Sequence, residues 1–556
     1  MTEKTLYNTD NVITMTFDMV NCKEVIKDIY STINQWDFSQ NWTKAADNQP
    51  DDYFKKNYPY VKVVEFMTAT GGSESRDLYN DPLNRDTLTD YKFDSLINAC
   101  ETALRQGLKP NIKTGNVPLK FCAEPFISEQ FGVNVRPPDD DKYCAYYDYI
   151  KAAADALILR FGLTEVRKWS WCVLTEYENK DWFKCEGDET GEATREAFFK
   201  LYDYSVGALQ ASVGKDYLVV GAHAMLCDVG HFDPRDFIEH CAYGTNYFTG
   251  EVGSQVNYWA FSIYDLGPGN YSFGRRLTLT LALDFLRDKA KEVGFNSLRY
   301  GIDEGYLLFG ADGKLLNASH VTAQSYQGAY TAKHYKEAIL SGLDWYSLWA
   351  FNTESIWGIG DNAADSVGTH TVKLGSKMAG DFFVPPVSIT GKLKSNDNQV
   401  DGFAGYNSGK NTIHIIAYNY NPDEFSQVGE SLNFILYNVY PVDGNSVNIK
   451  CWYVDDNVNW LSQWMKDQEE HGVTDEEWHH SKYCVDIIHS TFSEIAQKVW
   501  YDHVKDYIEI STLTCSESTE IVKGGKLTLS ANLEHHGVVF YEITGVKNKR
   551  TLVNET

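Results

Sequence analysis

Two glutamates stand directly after apolar runs and are the residues best placed to do chemistry. Glu176 ends the run that begins at Trp169, and Glu304 ends the run that begins at Ser297. Hydrolysis of a glycosidic bond needs two carboxyl groups that face each other across a cleft. Glu178 and Asp303 are neighbouring carboxylates that could compete for the same roles. Position alone is a weak signal, because a glutamate at the end of a strand is usually a solvated loop residue.

The elements that must position these glutamates alternate along the first two thirds of the chain. Apolar residues at helical spacing predict helices over 143–161, 193–213 and 275–293. The apolar runs between them predict eight strands, at Val12–Phe17, Val61–Met67, Leu108–Thr114, Trp169–Leu174, Tyr217–Ala222, Tyr258–Tyr264, Ser297–Ile302 and Trp345–Phe351. Eight strands alternating with helices predict an α/β fold, a parallel (β/α)8 TIM barrel. The glutamates then end strands four and seven, which lie across the barrel mouth from one another.

An open, doubly wound sheet is the structural rival of the barrel. Such a sheet usually carries a glycine-rich phosphate turn after its first strand. No G-x-G-x-x-G follows Val12–Phe17, and the isolated G-x-G at Gly267–Gly269 is interpreted as a loop. We therefore favour the barrel.

The spacing of the apolar residues changes from helical to alternating after about residue 378. Alternating strands appear at Asn411–Tyr420, Ser431–Tyr440, Leu527–Ala531 and Gly537–Ile543, and helical stretches interrupt them near 460–472 and 485–507. These patterns predict a C-terminal β-sandwich. The predicted domains are a catalytic barrel over residues 11–378 and an accessory sandwich over 379–556. Residues 1–10 could also belong to the sandwich.

The bulk composition excludes several classes of function. The chain has 556 residues and a formal net charge of −27, which would repel nucleic acid. No apolar run of about 18 residues is present, so no membrane partner is expected. The 11 cysteines form no CxxC pair, and the first residues contain no apolar signal region, so we expect a cytoplasmic protein without a disulfide framework.

Metal and nucleotide chemistry have no matching motif. The pairs His479-His480 and His535-His536 are adjacent in sequence, unlike the i, i+4 spacing of a zinc site on a helix. The sequence contains no H-E-x-x-H, no G-x-S-x-G and no glycine-rich loop ending in Gly-Lys-Ser/Thr. We predict neither a metal site nor a cofactor.

The segment around strand four resembles glycoside hydrolase family 39, the β-xylosidase and α-L-iduronidase family of the clan A barrels. Residues 161–179 follow the family order of a glycine, a Glu-Val pair, a tryptophan and a strand-end glutamate. The resemblance implies that Glu176 is the acid/base and that Glu304, in Asp-Glu, is the nucleophile. It also implies that Tyr264 donates to the nucleophile and that Trp349 forms the floor of the sugar subsite. Further similarities extend from 107–110 to the strand 415–420 and the element 455–464, so the resemblance spans nearly the whole chain.

Three positions depart from the family pattern. The asparagine that precedes the acid/base, which usually contacts the sugar 2-hydroxyl, is Thr175 here; the histidine on strand six is Ser262; and the proline after the acid/base is Tyr177. These departures bear on the identity of the sugar more than on the two-carboxylate chemistry.

Other polar residues near strand ends could also contact a substrate. Asn116 and Lys113 end strand three, His223 ends strand five and Glu65 lies near the end of strand two. Each could equally make a structural hydrogen bond, and that interpretation is favoured for Lys113 and His223. Trp259 and Tyr306 are more often core or rim residues.

The sequence favours a retaining, exo-acting glycosidase that acts on a small carbohydrate such as a β-xyloside, arabinoside or galactoside. A carbohydrate-binding barrel without catalysis and a transglycosylase are the alternatives. Turnover of nitrophenyl glycosides would distinguish a glycosidase from the non-catalytic barrel. Product analysis with an acceptor sugar would distinguish it from a transglycosylase. The sequence leaves a homo-oligomer open.

Overall fold

The computed structural model describes residues 12–35, 46–129, 131–226, 230–265, 278–307, 324–348, 363–423, 425–472 and 494–548. Two kinds of architecture meet in it. One is a ring of parallel strands with helices outside, and the other is a pair of mostly antiparallel sheets. Among the described helices, none is long and apolar enough to cross a membrane.

The barrel is formed by the second to ninth strands, numbered along the chain after β1 (Val12–Asp18). Its strands are β2 (Thr32–Gln35), β3 (Val63–Phe66), β4 (Lys109–Thr114), β5 (Ser170–Val173), β6 (Val220–Ala224), β7 (Tyr258–Asp265), β8 (Arg299–Leu307) and β9 (Trp345–Leu348). All neighbours are parallel and follow chain order. The amide of Tyr346 donates to the carbonyl of Ile29, just before β2, at 2.8 Å, so the last strand returns beside the first. The predicted (β/α)8 fold is confirmed.

The described helices are α1 (Tyr53–Asn57), α2 (Asp94–Arg105), α3 (Tyr143–Phe161), α4 (Leu163–Val166), α5 (Glu192–Val213), α6 (Arg235–Tyr243), α7 (Leu279–Glu292), α8 (Tyr326–Ser341), α9 (Val367–Ser376), α10 (Leu461–Glu470) and α11 (Glu494–Ile510). The predicted helix over 143–161 is confirmed with the same bounds, and α5 and α7 confirm the next two. Buried positions such as Ile150, Ala154 and Leu157 lie on the inner face of α3.

The prediction that Val12–Phe17 is the first barrel strand is wrong. This segment, β1, pairs in parallel with β14 (Glu430–Tyr437) and antiparallel with β11 (Pro386–Thr390) in the sandwich. Its buried and half-buried residues alternate, which is typical of a sheet that is packed on one face. The true first barrel strand, Thr32–Gln35, is buried throughout but carries polar side chains, so it lacks the apolar run that identified the others.

The C-terminal part forms the predicted β-sandwich. Its other strands are β10 (Phe382–Val384), β12 (Gln399–Asn407), β13 (Thr412–Tyr420), β15 (Val439–Pro441), β16 (Ser446–Val454), β17 (Ser516–Ile521), β18 (Lys526–Leu533), β19 (Val538–Thr544) and β20 (Val546–Asn548). One sheet has the order β11-β1-β14-β18 and the other β10-β12-β13-β19-β16-β17. Apolar side chains of both sheets, such as Met15, Phe434 and Ile415, pack into one core between them. The domain boundary near residue 378 stays a prediction, and residues 1–10 lie outside the described residues.

Candidate active site

The end of β5 turns sharply and carries Glu176 into the barrel mouth. Leu174 and Glu176 both have left-handed backbone conformations, with φ of 66° and 45°. Such conformations are costly for residues other than glycine and are concentrated at functional sites. Gly115, after β4, allows this turn to pack closely, because a Cβ at that position would lie 2.8 Å from the amide nitrogen of Leu174.

A β-bulge in β8 positions the second carboxylate. Phe261 pairs with Ile302, but the next residue, Ser262, pairs with Glu304, so Asp303 is an extra residue on β8. In a regular strand, consecutive side chains point to opposite faces. The bulge breaks this alternation and lets both Asp303 and Glu304 contact residues of the barrel interior. Asp303 is fully buried there, and Glu304 is 6% exposed.

Glu176 and Glu304 converge on one place. An oxygen of each carboxylate lies within 4.8 Å of the other, and both lie within the same distance of a ring nitrogen of His223. Glu176 is 5% exposed, so both carboxylates of the pair are buried. A separation of this size is compatible with the carboxyl spacing of about 5–5.5 Å that characterises retaining glycosidases.

Glu304 accepts a hydrogen bond from Tyr264. The Tyr264 hydroxyl donates to Oε2 at 2.9 Å, whereas Oε1 has no hydrogen-bond partner among the described residues. Burial and the charge of Glu176 raise the pKa of Glu304 to about 8, while Lys113 and the Tyr264 hydroxyl act in the opposite direction. Two like charges this close in a buried site disfavour the doubly ionised state of the pair.

Glu176 accepts hydrogen bonds on both oxygens. The Asn179 amide donates to Oε2 at 2.9 Å, and the Ser262 hydroxyl donates to Oε1 at 2.6 Å. Asn179 is fixed in turn, because its own Oδ1 accepts from the amide of Asp181 at 2.9 Å. These contacts orient the carboxyl group of Glu176 from two sides.

A fully buried ionic cluster lies next to the carboxylate pair. The Lys113 ammonium contacts Glu65, lies 3.1 Å from Oδ2 of Asp303 and lies 2.7 Å from Nδ1 of His223. Burial and the charge of Asp303 raise the pKa of Glu65 well above its ordinary value, while Lys113 acts in the opposite direction. Burial alone would lower the pKa of Lys113, but Asp303 and Glu65 outweigh it and keep the ammonium charged.

The two competing carboxylates have other partners. Glu178 is buried, and its Oε1 accepts from the backbone amides of Met225 at 2.7 Å and Leu226 at 3.2 Å. Asp303 accepts from the Trp345 indole at 2.9 Å and is paired with Lys113. Their carboxylates serve these contacts, which leaves Glu176 and Glu304 as the converging pair.

The predicted substrate-binding residues fall into three groups. Thr175 and Asn116 are buried, and their side-chain polar atoms have no hydrogen-bond partner among the described residues. Glu65 and His223 have no exposed surface and contact other protein side chains, so they lie beneath the carboxylate pair instead of facing a ligand. Trp349 lies outside the described residues.

The remaining aromatic candidates and a missed residue complete the site. Trp259 is a core residue whose indole donates to the Tyr177 hydroxyl at 3.0 Å. The side chain of Tyr306 lies outside those described. Asn179 was not predicted as a site residue; its one signal in the sequence was its position three residues after the strand-end carboxylate Glu176.

Among the described residues, two groups of side chains have the composition of metal ligands. They are Glu65, His223 and Asp303, and Glu176, His223 and Glu304. His223 is common to both groups, but Lys113 occupies its Nδ1 and Ser262 its Nε2, at 2.7 and 2.8 Å. The ammonium of Lys113 also forms an ion pair with Asp303. Both ring nitrogens would have to exchange partners before His223 could bind a cation.

Comparisons with known proteins bear out the family resemblance. Residues 77–293 match the sequence model of glycosyl hydrolases family 39. The β-xylosidase of Geobacillus stearothermophilus is 26% identical over 163 residues, which cover 28% of this chain and 31% of that protein. The α-L-iduronidase of Mus musculus is 29% identical over 137 residues, which cover 24% of this chain and 20% of that protein. The matched part thus spans less than a third of the length of these curated relatives.

Solved structures extend the similarity in fold to nearly the whole chain. A monomeric β-xylosidase from Caulobacter crescentus superimposes with a TM-score of 0.63 at 15% identity, covering 96% of this chain and 99% of that one. A GH39 enzyme from Xanthomonas axonopodis pv. citri gives a TM-score of 0.62 at 12% identity, covering 96% and 97%. At these identities the similarity supports the fold alone.

Proposed function

Because the barrel of this chain is related to glycosyl hydrolases family 39, we propose that the protein is a retaining, exo-acting glycoside hydrolase. The observation that carries the proposal is the convergence of Glu176 and Glu304 from β5 and β8, with carboxylate oxygens within 4.8 Å. Two carboxyl groups so disposed can act on opposite sides of one anomeric carbon. Glu65 and Asp303 also lie within 4.8 Å of one another, but Lys113 contacts both of them.

In the first step, Glu304 attacks the anomeric carbon as a carboxylate. Its Oε2 accepts from Tyr264, so Oε1 is the oxygen that forms the new bond. Glu176 gives its proton to the glycosidic oxygen as the bond from that oxygen to the anomeric carbon breaks. The products of this step are the free alcohol and a glycosyl ester of Glu304.

In the second step, Glu176 acts as a base. The ester no longer carries the negative charge of Glu304, so the pKa of Glu176 falls relative to the free enzyme. Glu176 accepts a proton from water, and the resulting oxygen nucleophile attacks the anomeric carbon. The ester bond breaks, and Glu304 regains its charge with net retention of configuration.

The substrate class follows from the relatives by similarity. The relatives in sequence include β-xylosidases and α-L-iduronidases, so we propose a β-xyloside as the first substrate to test, with arabinosides and galactosides next. Thr175 stands where the family has an asparagine, and its hydroxyl and the Asn116 amide are buried groups that could bind sugar hydroxyls.

The test uses nitrophenyl glycosides and the Glu176→Ala variant. We expect wild-type turnover, a loss of about 10³-fold or more in the variant on a substrate with a poor leaving group, and partial rescue by azide when the leaving group is good. A Glu304→Ala variant with undiminished activity would refute the proposal. Binding of sugar without turnover by the wild type would favour the non-catalytic barrel instead.

A further inference from the structure

Four polar side chains form a continuous chain that ends on Glu176. The Lys113 ammonium lies 2.7 Å from Nδ1 of His223, Nε2 of His223 lies 2.8 Å from the Ser262 hydroxyl, and that hydroxyl lies 2.6 Å from Oε1 of Glu176. Lys113, His223 and Ser262 have no exposed surface. They come from β4, β6 and β7 and therefore fix one another across three strands.

The charge state of Lys113 gives the chain a direction. A charged ammonium has three N–H donors and no acceptor. Because the ammonium cannot accept, Nδ1 of His223, which lies 2.7 Å away, must accept from it. Glu65 and Asp303 lie beside the same ammonium as ion-pair partners. Burial and the nearby ammonium lower the pKa of His223 well below its ordinary value, which keeps the ring neutral.

A neutral imidazole that accepts at Nδ1 must carry its proton on Nε2. The Nε2–H group then donates to the Ser262 oxygen, and the single hydroxyl proton of Ser262 is left to donate to Glu176. No member of the chain can reverse its donor role without leaving a buried donor or acceptor unpaired.

We propose that Lys113, His223 and Ser262 form a directed hydrogen-bond relay that orients Glu176 and stabilises its carboxylate form. Ser262 is the positioning residue that touches Glu176, and Lys113 supplies the charge that sets the direction. The relay lowers the affinity of Glu176 for a proton, because hydrogen bonds to a carboxylate favour its ionised form. Its catalytic consequence rests on the proposed function, whereas its existence does not.

Other charged groups also act on Glu176. Glu304 on β8 and Glu178, two residues along the chain, interact electrostatically with Glu176, and Lys113 on β4 acts on Glu304. Asp303 on β8 and Glu65 on β3 lie behind Lys113. The contribution of Ser262 is therefore measured as a difference between variants that leave all these groups in place.

The direction of the relay can be measured without any substrate. In ¹⁵N NMR spectra of the histidine-labelled protein, the signal that disappears in His223→Gln is assigned to His223. We expect a neutral ring with its proton on Nε2 from pH 6 to pH 9. A proton on Nδ1, or a charged ring, would overturn the proposal, and this measurement needs no variant of Ser262.

The effect on Glu176 is measured with Ser262→Ala. We expect the pKa of the Glu176 carboxyl, followed by ¹³C NMR, to rise by about one unit, a tenfold gain in proton affinity. Ser262→Thr keeps the hydroxyl and should restore most of the wild-type value. The matched control is Ser347→Ala, because Ser347 is a buried serine on β9 whose hydroxyl has no hydrogen-bond partner among the described residues. Equal Glu176 pKa values in Ser262→Ala and Ser347→Ala would overturn the relay.

Kinetics connect the relay to the reaction. In Ser262→Ala, the alkaline limb of the pH profile of kcat/KM should move upward by about one unit, because Glu176 then keeps its proton to higher pH. An unmoved limb in an active Ser262→Ala variant would contradict the relay. A wild-type protein that hydrolyses no glycoside would refute the proposed function and leave the NMR results to decide the relay.

Discussion

At the scale of single residues, the two glutamates differ in their surroundings. Glu304 accepts from Tyr264 on Oε2 and keeps Oε1 without a hydrogen-bond partner in the described part of the chain. Glu176 accepts from Asn179 and Ser262 on both oxygens. An oxygen without a donor suits a nucleophile, and an oriented carboxyl suits proton transfer. The assignment of roles that the family resemblance implied stays a proposal, and these surroundings define what it predicts.

Loss of the Tyr264 hydroxyl should move the acidic limb of activity. Tyr264→Phe removes a donor that stabilises the Glu304 carboxylate, so the pKa of Glu304 rises and ionised nucleophile is lost at higher pH than in the wild type. We expect the acidic limb of kcat/KM to shift upward by about 0.5–1 unit and kcat to fall about tenfold. A pH–rate profile measures both.

The matched control is Tyr258→Phe on the same strand. The Tyr258 hydroxyl donates to the backbone carbonyl of Trp171 at 2.7 Å and contacts neither glutamate. This change should lower the free energy of unfolding by about 1 kcal/mol and leave the acidic limb in place. If both variants shift the limb equally, the role given to the Tyr264 contact is incorrect.

At the scale of elements, two local irregularities aim the carboxylates. The left-handed residues Leu174 and Glu176 end β5, and the bulge at Asp303 re-aims Glu304 on β8. The apolar runs before each glutamate made their positions at strand ends predictable. The direction of the side chains was not predictable, because a one-residue bulge reverses which face a side chain occupies and leaves no periodic signal.

The same reasoning explains which other parts of the site escaped prediction. The strand Thr32–Gln35 was missed because its mostly polar residues form no apolar run, although the strand is buried inside the barrel. The sandwich strand β1 was counted as a barrel strand in its place. Asn179 was missed because its contact depends on the turn at Glu176. His223 and Lys113 were identified as strand-end residues, but their joint contact with Ser262 depends on the distances between three strands.

Gly115 should be essential to the turn that carries Glu176. Its φ is 103°, and a Cβ would lie 2.8 Å from the amide nitrogen of Leu174. Gly115→Ala should therefore lower the free energy of unfolding by about 1–3 kcal/mol or more and reduce kcat by displacing Glu176. Denaturant unfolding and steady-state kinetics measure the two effects.

Gly107→Ala separates backbone strain from the steric effect. Gly107 has a φ of 77°, but a Cβ there would meet no atom within 4 Å. We expect a loss of about 1 kcal/mol in stability and an unchanged kcat. An unchanged kcat in Gly115→Ala as well would show that the contact with Leu174 does not position Glu176.

At the scale of the whole molecule, a buried histidine lies in a charged cluster where the sandwich meets the end of α9. His414 on β13 donates from Nδ1 to Asp381 at 2.7 Å, and its Nε2 lies 3.6 Å from Glu542 on β19. Lys377, directly after α9, contacts the same Glu542 at 3.2 Å. Burial would lower the pKa of His414, but its contacts with Asp381 and Glu542 outweigh burial and raise it.

This raised pKa predicts the sign of a pH effect on stability. A histidine whose folded pKa exceeds its unfolded value of about 6.5 stabilises the fold fully below that value, and the stabilisation is lost as the pH rises through the folded pKa. We expect His414→Gln to lower the free energy of unfolding by about 1–3 kcal/mol at pH 6 and by less at pH 9. Denaturant unfolding at both pH values measures the difference.

His334→Gln provides the opposite case. Burial lowers the pKa of His334 well below its ordinary value, so its ring is neutral in the folded protein at both pH values. Its substitution should cost no less stability at pH 9 than at pH 6. A loss in His414→Gln that does not shrink between pH 6 and pH 9 would contradict the charged state given to His414.

The most direct measurement for the two-glutamate account is covalent trapping with a 2-deoxy-2-fluoro-β-xyloside that carries a good leaving group. The fluorine slows both steps, and the leaving group lets the first step outrun the second, so a glycosyl ester accumulates. Peptide mapping by mass spectrometry should place the added sugar on Glu304 and on no other carboxylate. Label on Asp303, Glu178 or Glu65, or hydrolysis with inverted configuration and no label, would contradict the account.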